Sequence, residues 1–287
     1  MSLAKRWNQQ GKVIVMSETT DEPLTLCGQM AGICWGADTS DPKKNYKRGL
    51  ECLRNNHGRA LEYVQVYMVF DGWSARLMRE VYTHLAGAPT RLQASTRYID
   101  YTDFEYTTPP AIANNVEAKS IYESTMKNIT DATQDLEKLG IKREDSAMLL
   151  PLGMNTKVVY RTNLRALIDM AEVRKCTRAY HEYRTLFKAI EDALRIYSDE
   201  WKFLIDEEHI FKIKCEKLGY CNERYGCGRA MKQEEFNMFR KMAEYCHKNN
   251  IKVDKIYVLP ENEVNKLFVL PETDKNKIEV VFEEDNK

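Results

Sequence analysis

From Thr162 to Trp201 the chain carries neither proline nor glycine, and this stretch constrains the fold more than any other. It exceeds the ~8–20 residues of an ordinary globular helix. It therefore predicts two helices with a break near Arg174. A strand signal stands upstream, where Tyr63–Phe70 reads YVQVYMVF. Aromatic and branched side chains in that density suit a pleated, half-buried surface. Gly72 is read as the end of this strand. Ser74 then serves as N-cap for a helix with Leu77, Met78, Val81, Tyr82 and Leu85 on one face, and Gly87-Ala88-Pro89 ends that helix.

The remaining elements follow from the same signals. Residues 12–35 read as a strand and a loop, and Lys43–Asn56 as a helix stopping near His57-Gly58. Thr90–Tyr101 is a polar stretch, and Thr107–Pro110 a loop. Ile112–Leu139 has helical spacing closed by Gly140, and Arg143–Leu150 a helix that stops at Pro151. Lys232–Asn249 is amphipathic. Val258-Leu259-Pro260-Glu261 recurs as Val269-Leu270-Pro271-Glu272, too few copies for a repeat architecture.

Lys and Arg total 43 and Asp and Glu total 43. Duplex nucleic-acid binders show a basic excess, so a nucleic-acid partner is not expected. A local arginine cluster still suits a small anion. No apolar run reaches the ~20 residues of a membrane span, and Met1–Val15 lacks the apolar core of a signal peptide. The expectation is a cytoplasmic protein, its eight cysteines reduced. Cys215, Cys221 and Cys227 cluster, but structural zinc sites use gaps of about 2–4 residues, so plain thiols are expected and metal ligation is the weaker reading.

Arg79–Tyr98 reads REVYTHLAGAPTRLQASTRY. In an extended segment alternate residues share a side, so Arg91, Gln93, Ser95 and Arg97 would converge. Two guanidiniums, an amide and a hydroxyl suit a phosphate or a nucleobase edge. The same spacing equally describes a solvated polar strand edge. His84 at a helix end also reads as a carbonyl cap, and Arg174 as a solvated helix charge. The run Arg174–Arg184 fits either a stacking nucleic-acid strip or an amphipathic face.

That segment resembles the signature of flavin-dependent thymidylate synthases. His84 matches the early histidine, and Ser95, Arg97 and Tyr98 match the end of the pattern. Gln93 and Thr90 replace a Glu and a Ser, Leu92 replaces an Asn, and Thr83 and Leu85 replace the arginines flanking the histidine. Two further blocks follow the family's order. His57–Glu62 resembles its His-to-Glu spacing before the first long strand. Leu150–Arg174, LPLGMNTKVVYRTNLRALIDMAEVR, resembles its Leu-Pro-Leu block, with Thr156, Asn163, Arg165 and Arg174 at matching positions. The resemblance spans residues 10–212.

What the resemblance implies is an α/β fold of the α+β kind, with a central, mostly antiparallel sheet, long helices and a small C-terminal extension. The catalytic domain would be residues 1–212, a cysteine-containing segment 213–230 and an extension of unassigned role 231–287. The activity implied is FAD-dependent reductive methylation of dUMP to dTMP, with methylenetetrahydrofolate and NADPH as co-substrates, in a homotetramer with FAD at subunit interfaces. Arg174 would face the pyrimidine ring and act catalytically, and Glu80, Gln93, Ser95 and Arg97 would bind the nucleotide. His57, Glu62, His84, Asn163 and Arg165 would bind FAD. Where the family has a phosphate-binding arginine this chain has Ala147, and Arg143 or Lys157 could substitute. No cysteine follows a proline, so the Pro-Cys context of the cysteine-dependent synthases is missing. Two rival readings share the scaffold: another one-carbon modification of a pyrimidine nucleotide, such as hydroxymethylation, and a non-catalytic nucleotide- or nucleic-acid-binding protein.

Overall fold

The structure, a computed structural model, describes residues 11–249 and the backbone of four short strand segments beyond them. It divides into two compact units, Met1–Ile213 and Lys214–Lys287. The first runs β1 (Lys12–Val15), α1 (Pro23–Cys34), α2 (Pro42–Arg54), α3 (Gly58–Leu61), β2 (Gln65–Ser74), α4 (Ala75–Val81) and β3 (Thr90–Gln93). It continues with α5 (Pro110–Ala113), α6 (Val116–Lys138), α7 (Arg143–Ser146), β4 (Asn155–Asn163), α8 (Leu164–Arg174), α9 (His181–Tyr197) and α10 (Asp199–Asp206).

Four strands form one antiparallel sheet in the order β1-β2-β4-β3. This is the mixed helix and antiparallel-sheet fold expected. One face is covered: Val66, Met68, Phe70, Val158 and Tyr160 lie buried with Leu77, Leu167, Leu186, Phe187 and Trp201 in the main core. On the other face Ile14, Val69, Val159 and Leu92 stand in register across all four strands. Three of these remain exposed, Leu92 by 69% and Ile14 by 51%. A smaller core joins Phe104, Tyr106, Met126 and Met154.

Several boundaries differ from the sequence reading, each for a local reason. Residues 23–34 form helix α1 rather than a loop. Pro23 opens it, and the Glu200 carboxylate accepts from the Leu24 and Thr25 amides at its N-terminus. The residues beside Glu200 complete a clasp. Tyr197 Oη donates to Thr19 O, Ser198 Oγ to Asp21 O, and Trp201 Nε1 to Thr20 O at 2.8 Å. Gly28 and Gly49 let α1 and α2 meet backbone to backbone: a Cβ on Gly28 would lie 1.7 Å from Asn45 O, and one on Gly49 1.9 Å from Leu24 O.

Gly72 does not end β2. At φ +77° it forms a bulge between Asp71 and Trp73, and the strand runs on to Ser74. Ser74 does cap α4, donating its hydroxyl in turn to the buried Glu182 carboxylate. Leu85 lies beyond α4 and is exposed. Asn115 starts α6 anew after the short α5, and Ala147–Leu149 tightens into a 3-10 turn after α7. The stretch from Thr162 opens as the end of β4 and gives three helices, with breaks after Arg174 and at Ser198, which caps α10.

The second unit holds α11 (Lys214–Leu218), α12 (Gln233–Lys248), a parallel pair β5 (Lys252–Val253) with β7 (Lys277–Ile278), and an antiparallel pair β6 (Phe268–Val269) with β8 (Val280–Val281). Glu235 accepts from the Lys232 amide and seats the start of α12. The recurring Val-Leu-Pro-Glu segments lie outside the described residues, apart from the backbone of Val269. No described helix is long and apolar enough to cross a membrane.

Candidate functional site

Two helix ends meet at Arg174, the last residue of α8. Beyond α4 the chain makes one more turn, with the Thr83 amide bonding Glu80 O and the His84 amide Val81 O. Glu80, Thr83 and His84 therefore project together. Arg174 donates to all three: Nε to His84 Nε2 at 2.7 Å, Nη1 to Glu80 Oε2 at 2.9 Å and Nη2 to Thr83 Oγ1 at 3.2 Å. Beneath the guanidinium lies Tyr183 of α9, its ring centroid 4.8 Å from Cζ. The His84 imidazole packs against the same ring in a T-shaped arrangement, centroids 5.9 Å apart and planes at 71°.

His84 accepts through Nε2, so the neutral imidazole is the bonded form. Burial, and then the Arg174 charge, push its pKa from 6.5 down to about 4. The folded value lies below the unfolded one, so the unfolded chain takes up this proton first as pH falls. The contribution is intact above about pH 6.5 and is lost as pH drops from there towards 4. Urea unfolding across that window is expected to show a steeper loss of stability in the wild type than in His84→Gln. Equal slopes would refute the neutral-acceptor assignment.

Other expected residues form separate groups. Glu62 and Arg165 make an ion pair at 2.5 Å, and Gly58 packs beside the Arg165 guanidinium, next to the exposed His57. Asn163 caps α8 by accepting from the Ala166 amide at 2.9 Å. A Cβ on Gly87 would meet Asn163 Nδ2 at 2.7 Å, so the turn after His84 rests on this helix start.

The alternation expected from Arg91 to Arg97 stops with β3. Arg91 stacks on Tyr82 and donates to its carbonyl, and Gln93 bonds the Tyr82 hydroxyl and Thr156. Ser95 and Arg97 lie past the strand, in a turn where the Tyr98 and Ile99 amides bond Ser95 O. There Ser95 Oγ accepts from the Arg97 amide, and Arg97 pairs with Glu144 at 3.1 Å. Arg143 reaches the same turn, donating to Tyr98 O at 3.3 Å. Lys157 instead pairs with Asp71.

Among the described residues no group of three or more His, Cys, Asp or Glu is arranged to hold a metal, Cys215, Cys221 and Cys227 included. Arg184 donates to the Thr177 and Ala179 carbonyls. It thereby braces the α8–α9 turn rather than lining an open strip.

A family profile described as "Thymidylate synthase complementing protein" matches residues 15–196. The chain belongs to this family. Among relatives, the flavin-dependent thymidylate synthase of Nitratidesulfovibrio vulgaris is 32% identical over 190 residues, covering 62% of this chain and 73% of that protein. That of Clostridium tetani is 26% identical over 206 residues, covering 63% and 81%. The fold is shared with thymidylate synthase X of Helicobacter pylori, solved with FAD and dUMP. There the TM-score is 0.56 at 20% identity, over 70% of this chain and 99% of that one. It is shared too with the UMP/dUMP methylase PolB of Streptomyces cacaoi, solved with 5-Br dUMP, with a TM-score of 0.57 at 16% identity, over 70% and 96%.

Within the family frame, two residues of the Arg174 group escaped the sequence reading. By sequence Thr83 stands only as a replaced arginine, yet its hydroxyl accepts from Arg174. By sequence Tyr183 is only a member of the Arg174–Arg184 run. Its position on the buried face of α9, with Leu186, Phe187 and Ile190, was the available signal, and periodicity alone assigns it to the core.

Proposed function

We propose that the chain methylates dUMP to dTMP reductively, as an FAD-dependent enzyme of the cytoplasm, with methylenetetrahydrofolate as carbon donor and NADPH as reductant. The observation that carries this is the Arg174 guanidinium. Its edge is fixed by His84, Glu80 and Thr83 and one face is covered by Tyr183. A guanidinium has five N–H donors. These contacts use three, and two remain for a planar partner.

A uracil ring set against those donors would be oriented, and negative charge developing on its carbonyl and N3 side would be stabilised by a pre-placed cation. Neutral His84 adds no competing charge. Glu80 and Gln93 extend the nucleotide site. Arg97 and Ser95 would take the phosphate, with Arg143, already at that turn, standing in for the arginine replaced by Ala147. Glu144 would release Arg97 to the phosphate.

Arg165 and His57 are exposed beside the start of α8, a donor set that suits an anionic dinucleotide. With Glu62, Asn163 and His84 they would hold FAD. When bound, the flavin supplies the one-carbon and hydride chemistry. Cys27 makes no nucleophile here, because burial drives its thiol up to about 12. The in-register row of Ile14, Val69, Val159 and Leu92, three of them exposed, supports association of copies, and in a homotetramer these separate groups could complete one another's sites.

The test is tritium release from 5-tritiated dUMP with methylenetetrahydrofolate and NADPH, with the product weighed by mass spectrometry, alongside FAD titration by fluorescence quenching. Quenching with release and a dTMP mass is expected. Absence of FAD binding overturns the reading in favour of a non-catalytic binder, and a hydroxymethyl mass reassigns the product.

A further inference from the structure

We propose that Tyr183 is a positioning residue for the reaction, setting the plane of Arg174 and the orientation of His84 from below. The inference rests on the proposed role of Arg174 at the nucleotide. The three polar partners hold the guanidinium only by its edge. Those bonds leave from all three nitrogens and lie near the plane of the group, so they restrain its movement along the normal least. The Tyr183 ring removes that freedom, because a cation over an aromatic face is attracted to it and excluded from the space the ring fills. It also holds in one plane the two N–H donors that remain for a flat substrate.

Tyr183 is suited to be a fixed floor. It is 0% exposed and packed in the main core with Leu186, Phe187 and Ile190. Its hydroxyl is buried without a hydrogen-bond partner, so its position is set by ring packing. The contact with Arg174 is therefore made by the π face alone, and a phenylalanine would preserve it. The same ring packs T-shaped against His84, which keeps Nε2 turned towards Arg174. One aromatic ring thus orients both the cation and the acceptor that steadies it.

The experiment replaces Tyr183 with phenylalanine and then with mono-, di- and trifluorinated phenylalanines, alongside Tyr183→Leu. Fluorination leaves ring size nearly constant while weakening the negative face. Two readouts are taken: the Arg174 Nε–H resonance in 15N-arginine-labelled protein, assigned with Arg174→Lys, and dUMP turnover. Tyr183→Phe is expected within about threefold of wild type. The fluorinated series is expected to lose kcat stepwise, reaching about 5–30-fold by the trifluoro ring, with the Arg174 resonance moving in step. A resonance that stays fixed across the series overturns the proposal, whatever turnover does. A resonance that moves in a protein with no dUMP turnover upholds the positioning contact and refutes the assigned reaction instead.

Discussion

Replacing Arg174 with alanine is expected to lower kcat for dUMP by about 10²–10³-fold, the usual effect of removing one pre-placed charge-stabilising donor. The loss should fall on kcat and on kcat/KM together, because charge builds on the ring only in the transition state. Arg174→Lys should recover little. An ammonium cannot serve His84, Glu80 and Thr83 from one plane and still offer donors to a substrate. Arg97→Ala should fail differently. Arg97 sits in the turn after β3, tied to Glu144, so its loss should weaken dUMP binding by about 1.5–3 kcal/mol for a charge-assisted contact. That penalty should shrink when deoxyuridine replaces dUMP. Single-turnover flavin oxidation with dUMP titration measures both. Matching effects within about 0.5 kcal/mol of wild type, as for ordinary surface charges, would remove both residues from the nucleotide site.

The second large effect is expected far from that site. Gly28→Ala should destabilise the protein by roughly 4–5 kcal/mol or more. The new methyl carbon would fall 1.7 Å from Asn45 O and 2.6 Å from the Gly49 amide nitrogen. Both obstacles are backbone, so no side chain can swing aside. α1 cannot shift to make room, since Glu200 and its neighbours bind the backbone leading into it. Gly49→Ala should behave alike, because its methyl would meet Leu24 O at 1.9 Å. For a unit of this size a loss of that order lowers Tm by about 8–20 °C. A melting curve within about 2 °C of wild type for either variant would show that the helices do not touch there.

The glycines of α1 explain where the sequence was hard to read. Glycine inside a helix is unfavourable by about 1 kcal/mol, and α1 contains both Gly28 and Gly32. Local propensity therefore argued for a loop, and the tertiary contact that rewards the glycines is invisible in one dimension. By contrast YVQVYMVF, the Ser74 cap and the break after Arg174 were legible because each signal is local, whereas the second break, at Ser198, was not foreseen. Within the candidate site, the residues named from spaced blocks were findable as letters. Their grouping was not: that Glu80, Thr83 and His84 share one turn facing Arg174 depends on where α4 ends, and the alternation from Arg91 to Arg97 broke because β3 stops at Gln93. Tyr183 was hidden for a third reason, since a buried aromatic on an amphipathic helix has the same pattern whether or not a cation rests on it.

The clasp between residues 19–25 and 197–201 has a consequence for how the protein is made. The carboxylate that completes the start of α1 lies 176 residues downstream of Leu24. At about 5–20 residues per second of translation, roughly 9–35 s separate the synthesis of Leu24 from that of Glu200. During that interval the first two helices can touch through their glycines while the amides that open α1 still face water. The last turns of the first unit must emerge before its beginning is secured, so this unit completes its fold late in translation rather than progressively from its N-terminus.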